Sequence, residues 1–232
     1  MASNSDESAG LGRQQLDPQR IVAGAVVLAD EIGVDALTIR KLAAALDVKP
    51  MAIYHHIPNK DAIIDAMVDS VFGEIDLPQA GTDWQSAMRK RCASARAVLA
   101  IHPWAVPLMD SRRSPGTATL RQHDAVIGCL REGGLSIVMT AHAYALLDAF
   151  VYGFAIQQAS LPATTGVEMT ALAESITECL SADDYPHLME LTIEHVLQPH
   201  YDFVDEFEFG LELILQGLEG ASQNSIQVTL RI

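Results

Sequence analysis

The chain has 232 residues, of which 49% are hydrophobic and 19% charged, a balance that supports a buried globular core and excludes disorder over most of its length. Its formal net charge of −15 at pH 7 argues against a polyanionic partner for the molecule as a whole. The acidity is uneven, however. Residues 1–60 carry six Lys/Arg against seven Asp/Glu and the remainder nine against twenty-three, so a local patch in the first part remains free to meet a polyanion.

Residues 1–16 open with small polar side chains and no apolar signal-like core, so a disordered tail and a cytoplasmic location are expected. Asp17 before Pro18 reads as a helix cap followed by a proline at the first helical position. Ile21, Ala25, Leu28, Ala29 and Ile32 then recur at helical spacing until Gly33. Thr38 caps a short second helix, Ile39 to Leu46, whose inward residues are Leu42, Ala43 and Leu46. The Thr38 hydroxyl is also free to face a phosphate. After the turn at Asp47 and Val48, Pro50 opens a third helix to about His56, which Ile57-Pro58 stops because the residue before proline leaves the helical region. Asn59 caps a fourth helix from Lys60 to about Gly73, and residues 75–81 read as a linker.

Beyond the linker the pattern is helical near 83–101 with Thr82 as cap, 104–110, 117–133, 136–158 with Ser136 as cap, 167–181, 184–196 and 202–219. Asp183 and Asp184 read as caps of the helix that follows them. The last residues, 226–232, alternate weakly and are expected to be a loose end. The predicted class is all-α: an N-terminal three-helix helix-turn-helix domain over 17–74 and a larger C-terminal helical bundle over 82–220, with a tail at 221–232. Cys92, Cys129 and Cys179 are too widely spaced for a zinc site or a CxxC pair, and are expected to be reduced packing residues. The apolar run from Ile137 to Ile156 approaches the length of a membrane span, but Thr140, His142 and Asp148 interrupt it, and a buried helix with no membrane partner is the expectation.

The second and third helices have the spacing of a helix-turn-helix, a geometry that offers one helix to a major groove about 12 Å wide. At 100° per residue, Pro50, Ile53 and Ile57 fall inward, while Met51, Ala52 and His55 point away as base-edge readers. Met51 and Ala52 offer no hydrogen bond, so reading there would be apolar contact with groups such as a thymine methyl. Tyr54 and His56 flank the helix within reach of phosphates, with Arg40, Lys49 and Lys60 close in sequence. The segments Leu37-Thr38-Ile39-Arg40-Lys41-Leu42-Ala43 and Ile53-Tyr54-His55-His56-Ile57-Pro58-Asn59-Lys60 resemble the DNA-binding domain of tetracycline-repressor (TetR) family regulators. The resemblance implies that Arg40, Tyr54, His56 and Lys60 make or support contacts to DNA, and that the last two long helices, 136–158 and 202–219, form a homodimer. Residues 207–219 are similar to the closing helix of the tetracycline repressors themselves.

Phe203, Phe207, Leu211, Ile214, Leu215 and Leu218 make an apolar stripe too wide for one partner, so one side is expected to face the core and another a second subunit. Such a dimer would hold two recognition helices roughly 34–36 Å apart and imply a double-stranded operator of two-fold symmetry. His102, Trp104, Met109, His123, Ile127, Met139, His142, Phe150, Gln157 and Met169 mix polar and adaptable apolar groups of the kind that line a small-molecule cavity. In the tetracycline repressors a histidine near the start of the sixth helix helps to bind a magnesium–drug chelate, and the resemblance places His102 near it and Gln157 where a metal-facing glutamate would stand. The glutamine favours a largely apolar or aromatic effector over a tetracycline, and no cofactor or metal is expected. No HExxH, GxSxG, Walker loop or GxGxxG organises the eight histidines and thirty carboxylates, which excludes the common catalytic classes. The expected function is a ligand-released repressor, and the alternative is a helical adaptor that binds a protein partner instead of DNA and shows no salt-dependent DNA affinity.

Overall fold

The computed structural model describes residues 15–109, 111–112, 114–161, 171, 174–175, 182–198 and 200–223. Every regular element among them is helical: α1 Pro18–Ile32, α2 Ile39–Ala45, α3 Pro50–Tyr54, α4 Lys60–Glu74, α5 Trp84–Ile101, α6 Val106–Met109, α7 Thr117–Glu132, α8 Ile137–Ser160, α9 Pro186–Leu191 and α10 Phe203–Gln223. A 3-10 turn, Pro103–Ala105, leads into α6, and a π turn, Thr192–Val196, extends α9. The expected helix over 167–181, Met169, Cys179 and the end at 226–232 lie outside the described residues. The chain divides into two compact units, 1–67 and 68–232.

In the first unit the caps act as their chemistry requires. Asp17 Oδ1 accepts from Arg20 N at 2.8 Å, Thr38 Oγ1 from Lys41 N at 3.2 Å and Asn59 Oδ1 from Ala62 N at 2.8 Å. Ile21, Ala25, Val26 and Ala29 of α1 bury against Leu37, Leu42 and Ala43, with Ile63 and Met67 of α4 in the same core. Two inward expectations fail. Ile32, in the last turn of α1, is exposed while Val26 takes a core position, and Pro50 is exposed because it stands at the mouth of α3, ahead of the turn that packs.

In the second unit α5 packs on α7, α8 and α10, and α8 packs on α7 and α10. Gln85 bonds to Glu219 and Arg89 to Glu212, so α5 and α10 run antiparallel. Phe150 stacks on Phe207 and Phe154 on Phe203, which makes α8 antiparallel to α10 as well. Three boundaries differ from expectation. Asp83, not Thr82, caps α5 by accepting from Ser86 N at 2.9 Å, since a carboxylate answers both the free N–H groups and the helix dipole. Neither Asp183 nor Asp184 caps α9, because Pro186 fixes the start and leaves Tyr185 as the N-cap, without a side-chain bond. Ile75 is buried, and its carbonyl accepts from Gln122, so the linker begins as part of the core. Gly134, at φ +90°, supplies the left-handed residue between α7 and α8.

Candidate nucleic-acid interface and sensor core

The turn before α3 aims that helix. Val48 N donates to Ala43 O at 2.9 Å and Leu46 N to Leu42 O at 3.0 Å, while Asp47 adopts φ 53°, a left-handed conformation that a short polar side chain tolerates. Ile53 is fully buried and Ile57 nearly so, and these two anchors fix the rotation of α3 about its axis. On the opposite side Met51 is 65% exposed, Tyr54 41% exposed and His55 exposed, with Ala52 half-buried between them. Thr38, Arg40, Lys49 and His56 are exposed and Lys60 is half-buried, so every residue expected at a DNA contact has some surface in this unit.

Not every nearby cation is equally free. Lys41 Nζ donates to Ala36 O at 3.1 Å, which ties it back to its own turn, whereas Arg40 carries no such tether among the described contacts. Arg20, which the sequence reading passed over, donates from Nη2 to Leu46 O at 3.3 Å, answering a carbonyl at the end of α2. With Lys49 and Ala52 it lines an open cleft of about 520 Å³ beside the start of α3. Twenty-six residues separate Arg20 from Leu46, so no local pattern could announce the contact. At the start of α4, Lys60 adds its charge to main-chain N–H groups, an arrangement that suits a phosphate oxygen.

The residues proposed as effector contacts fall into separate groups. His102 Nε2 meets Glu74 Oε2 at 3.1 Å and its ring lies edge-on to Trp104; Trp104 and Met109 are both buried. His123 lies between Phe72 and Tyr144, with ring centroids 5.6 Å away in each case, and Nδ1 shares a hydrogen bond with the Tyr144 hydroxyl. Phe150 belongs to an aromatic cluster with Phe154 and Phe207. Met139 and His142 are half-buried on α8, while Ile127 and Gln157 are exposed. No set of three or more His, Cys, Asp or Glu among the described residues could hold a metal ion.

Sequence reasoning missed the most buried charge in this unit. Arg91 of α5, 2% exposed, donates from Nη1 to Asp148 Oδ1 of α8 at 2.9 Å. Burial opposes the guanidinium charge most strongly, and Asp148, Cys92 and Tyr152 together outweigh it, so Arg91 is held above its usual range. Burial also pushes the adjacent Cys92 thiol up to about 11, which keeps it protonated and inert near neutral pH. Cys129 shifts the same way, through burial and then Glu132 and Asp83. A pair 57 residues apart leaves no periodic signal, although Asp148 within an apolar run hinted at a partner.

The α8 run is buried on one side only. Ala143, Leu147, Val151 and Phe154 face the core, whereas Val138, Ala141, Ala145, Ala149, Gly153 and Ile156 are exposed. On α10 the expected stripe divides similarly. Phe207, Leu211, Leu215 and Leu218 are buried, and the surplus apolar surface is Phe209, 66% exposed, and Leu213, 55% exposed, neither of which belongs to that stripe. By length and composition α8 could cross a membrane, but here it packs on α5, α6, α7 and α10 and pairs a buried Asp148.

Comparison with known proteins adds a second line of observation. The model of the tetR family of bacterial regulatory proteins matches residues 21–67, and that of the tetracyclin repressor-like C-terminal domain matches 77–221. The chain is 29% identical over 209 residues to the HTH-type transcriptional repressor DrrR1 of Streptomyces coeruleorubidus, covering 86% of this chain and 76% of that protein. It is 28% identical over 214 residues to the class D tetracycline repressor protein of Escherichia coli, covering 88% and 90% respectively. The solved complex of ActR from Streptomyces coelicolor with actinorhodin is similar in structure, with a TM-score of 0.71, 29% identity, and coverage of 90% of this chain and 99% of ActR.

Proposed function

The chain belongs to the TetR family of bacterial regulatory proteins, and on that premise we propose that this ligand-responsive transcriptional regulator is a cytoplasmic homodimeric repressor of a two-fold symmetric operator. The observation that carries the reading is the rotation of α3: Ile53 and Ile57 are pinned inward, so Met51, Ala52 and His55 are presented to a groove. Thr38, Arg40, Lys49, Tyr54, His56 and Lys60 surround that face with hydroxyl, imidazole and cationic groups suited to phosphates. Residues 17–74 bind the operator, and residues 82–220 take the effector and the second subunit. The exposed apolar sides of α8 and α10 support pairing between copies, since a water-facing apolar surface of that extent is stabilised by burial.

DNA holds the ligand-free dimer at a promoter, and a small, largely apolar or aromatic effector releases it. Release requires the effector to prefer the conformation whose recognition helices are misspaced, and each tenfold preference contributes about 1.4 kcal/mol. A nuclease footprint of the purified protein on its own upstream region tests the reading. The expected result is a protected site of two-fold symmetry whose occupancy falls log-linearly with salt. Protection without symmetry would overturn the two-fold operator, and no protection at low salt would overturn DNA binding in favour of the protein-binding adaptor.

A further inference from the structure

We propose that Arg91 is the anion receptor of the effector site, and that the effector is an aromatic molecule bearing an oxyanion such as a carboxylate, sulfonate or ionised phenol. The inference rests on the effector-sensing reading above and deepens it. Arg91 is 2% exposed, and its Nη1 donates to Asp148 Oδ1. Its Nε–H is shielded from solvent and donates to no acceptor among the described residues. A guanidinium uses that edge well when it is occupied: on the neighbouring turn of α5, Arg89 brings Nε and Nη2 to Glu212 at 3.1 and 2.7 Å. A shielded N–H without an acceptor is destabilising, and an incoming oxygen removes that cost.

Charge and shape narrow the class. Asp148 pairs with Arg91, and Arg96, five residues further on the same helix, adds a second guanidinium for which no ion pair is formed among the described residues. The Arg96 guanidinium lies 5.3 Å from the centroid of Phe207, Phe207 stacks on Phe150, and Phe150 is two residues from Asp148. Arg91 and Arg96 of α5 and the aromatic residues of α8 and α10 thus belong to one packed set of three helices, a setting whose chemistry suits a flat ring together with an anionic oxygen.

The test uses two dyes with one aromatic skeleton, anionic 8-anilinonaphthalene-1-sulfonate and neutral N-phenyl-1-naphthylamine, titrated by fluorescence into the full chain. The folded protein should bind the sulfonate at least tenfold more tightly. R91K keeps a cation for Asp148 but lacks the Nε donor; it should lose that preference, with the neutral dye and the melting temperature unchanged. Should R91K unfold, the neutral pair R91Q/D148N should show the same loss. Equal affinities for the two dyes, no binding of the sulfonate, or a variant that binds like the parent would each overturn the proposal. Parallel titration with operator DNA separates the two readings: lost DNA binding by the parent sinks the regulator, whereas retained DNA binding with equal dye affinities sinks only the anion receptor.

Discussion

Met51 and Ile53 are two residues apart and have opposite fates, one 65% exposed and the other fully buried, and that contrast gives α3 an outward side, proposed to read bases, and an inward side that anchors it. The Tyr54 hydroxyl serves a phosphate in this reading, so Tyr54→Phe should weaken binding about five- to tenfold at every sequence, the effect of one hydrogen bond worth roughly 1 kcal/mol. Met51→Ala should instead change the ranking of operator variants while leaving the salt dependence alone; gel-shift titrations over a set of operators distinguish the two outcomes. Inside the second unit, Cys92 yields a prediction in pH. Its folded-state pKa of about 11 lies above the ordinary 9.0, so the thiol contribution is fully present below pH 9 and is lost as pH rises through 11. Denaturant titrations should show stability falling by roughly 2 kcal/mol across that window, and Cys92→Ala should flatten the difference. What the sequence revealed at this scale was local. Asp17, Thr38, Asn59 and Ser136 are caps because their partners lie three residues away, while Arg91 and Asp148 were unreadable because theirs do not.

At the scale of elements, the start of α7 shows how one helix borrows its cap from another. Gly116 at the N-cap position offers no side-chain acceptor, and Asp69 of α4 supplies one, with Oδ1 accepting from Thr119 N and Thr119 Oγ1, each at 2.8 Å, and Oδ2 from Ala118 N at 3.3 Å. The approach is so close that a Cβ on residue 116 would fall 2.1 Å from the Asp69 carboxyl carbon, which explains the glycine. Asp69→Ala should lower stability by about 1–2 kcal/mol, with Asp69→Asn intermediate, as read by thermal unfolding. Gly116→Ala should mimic the loss by displacing the carboxylate. The boundaries of α4 and α7 were readable from Asn59 and from Gly133-Gly134, whereas the bond between the two helices was not, since hydrophobic spacing marks a helix without naming its neighbour. The same limit explains Ile75, placed in a linker by the proline and glycine that follow it although Gln122 holds its carbonyl in the core.

For the whole molecule the decisive quantity is apolar surface that one chain leaves in water. The apolar run of α8 reads as a buried helix, and within one chain Ala141, Ala145, Ala149 and Gly153 form an exposed ridge of small residues that allows close backbone approach, while α10 leaves Phe209 and Leu213 exposed as well. Periodicity could not expose this division, because a helix that is apolar on every side carries no sign of which side meets its own core and which meets a copy. A charge at the centre of the ridge separates the alternatives. Ala145→Glu places a carboxylate where the pairing reading requires dry contact, at a position whose own chain leaves it exposed, so the isolated subunit should keep its helicity by circular dichroism. Light scattering should then report half the parental mass. Operator affinity should collapse at the same time, because two recognition helices held in one dimer act at high effective concentration and a lone helix-turn-helix does not. A variant that retains both its mass and its operator affinity would move the subunit contact away from α8, and with it the source of the operator's symmetry.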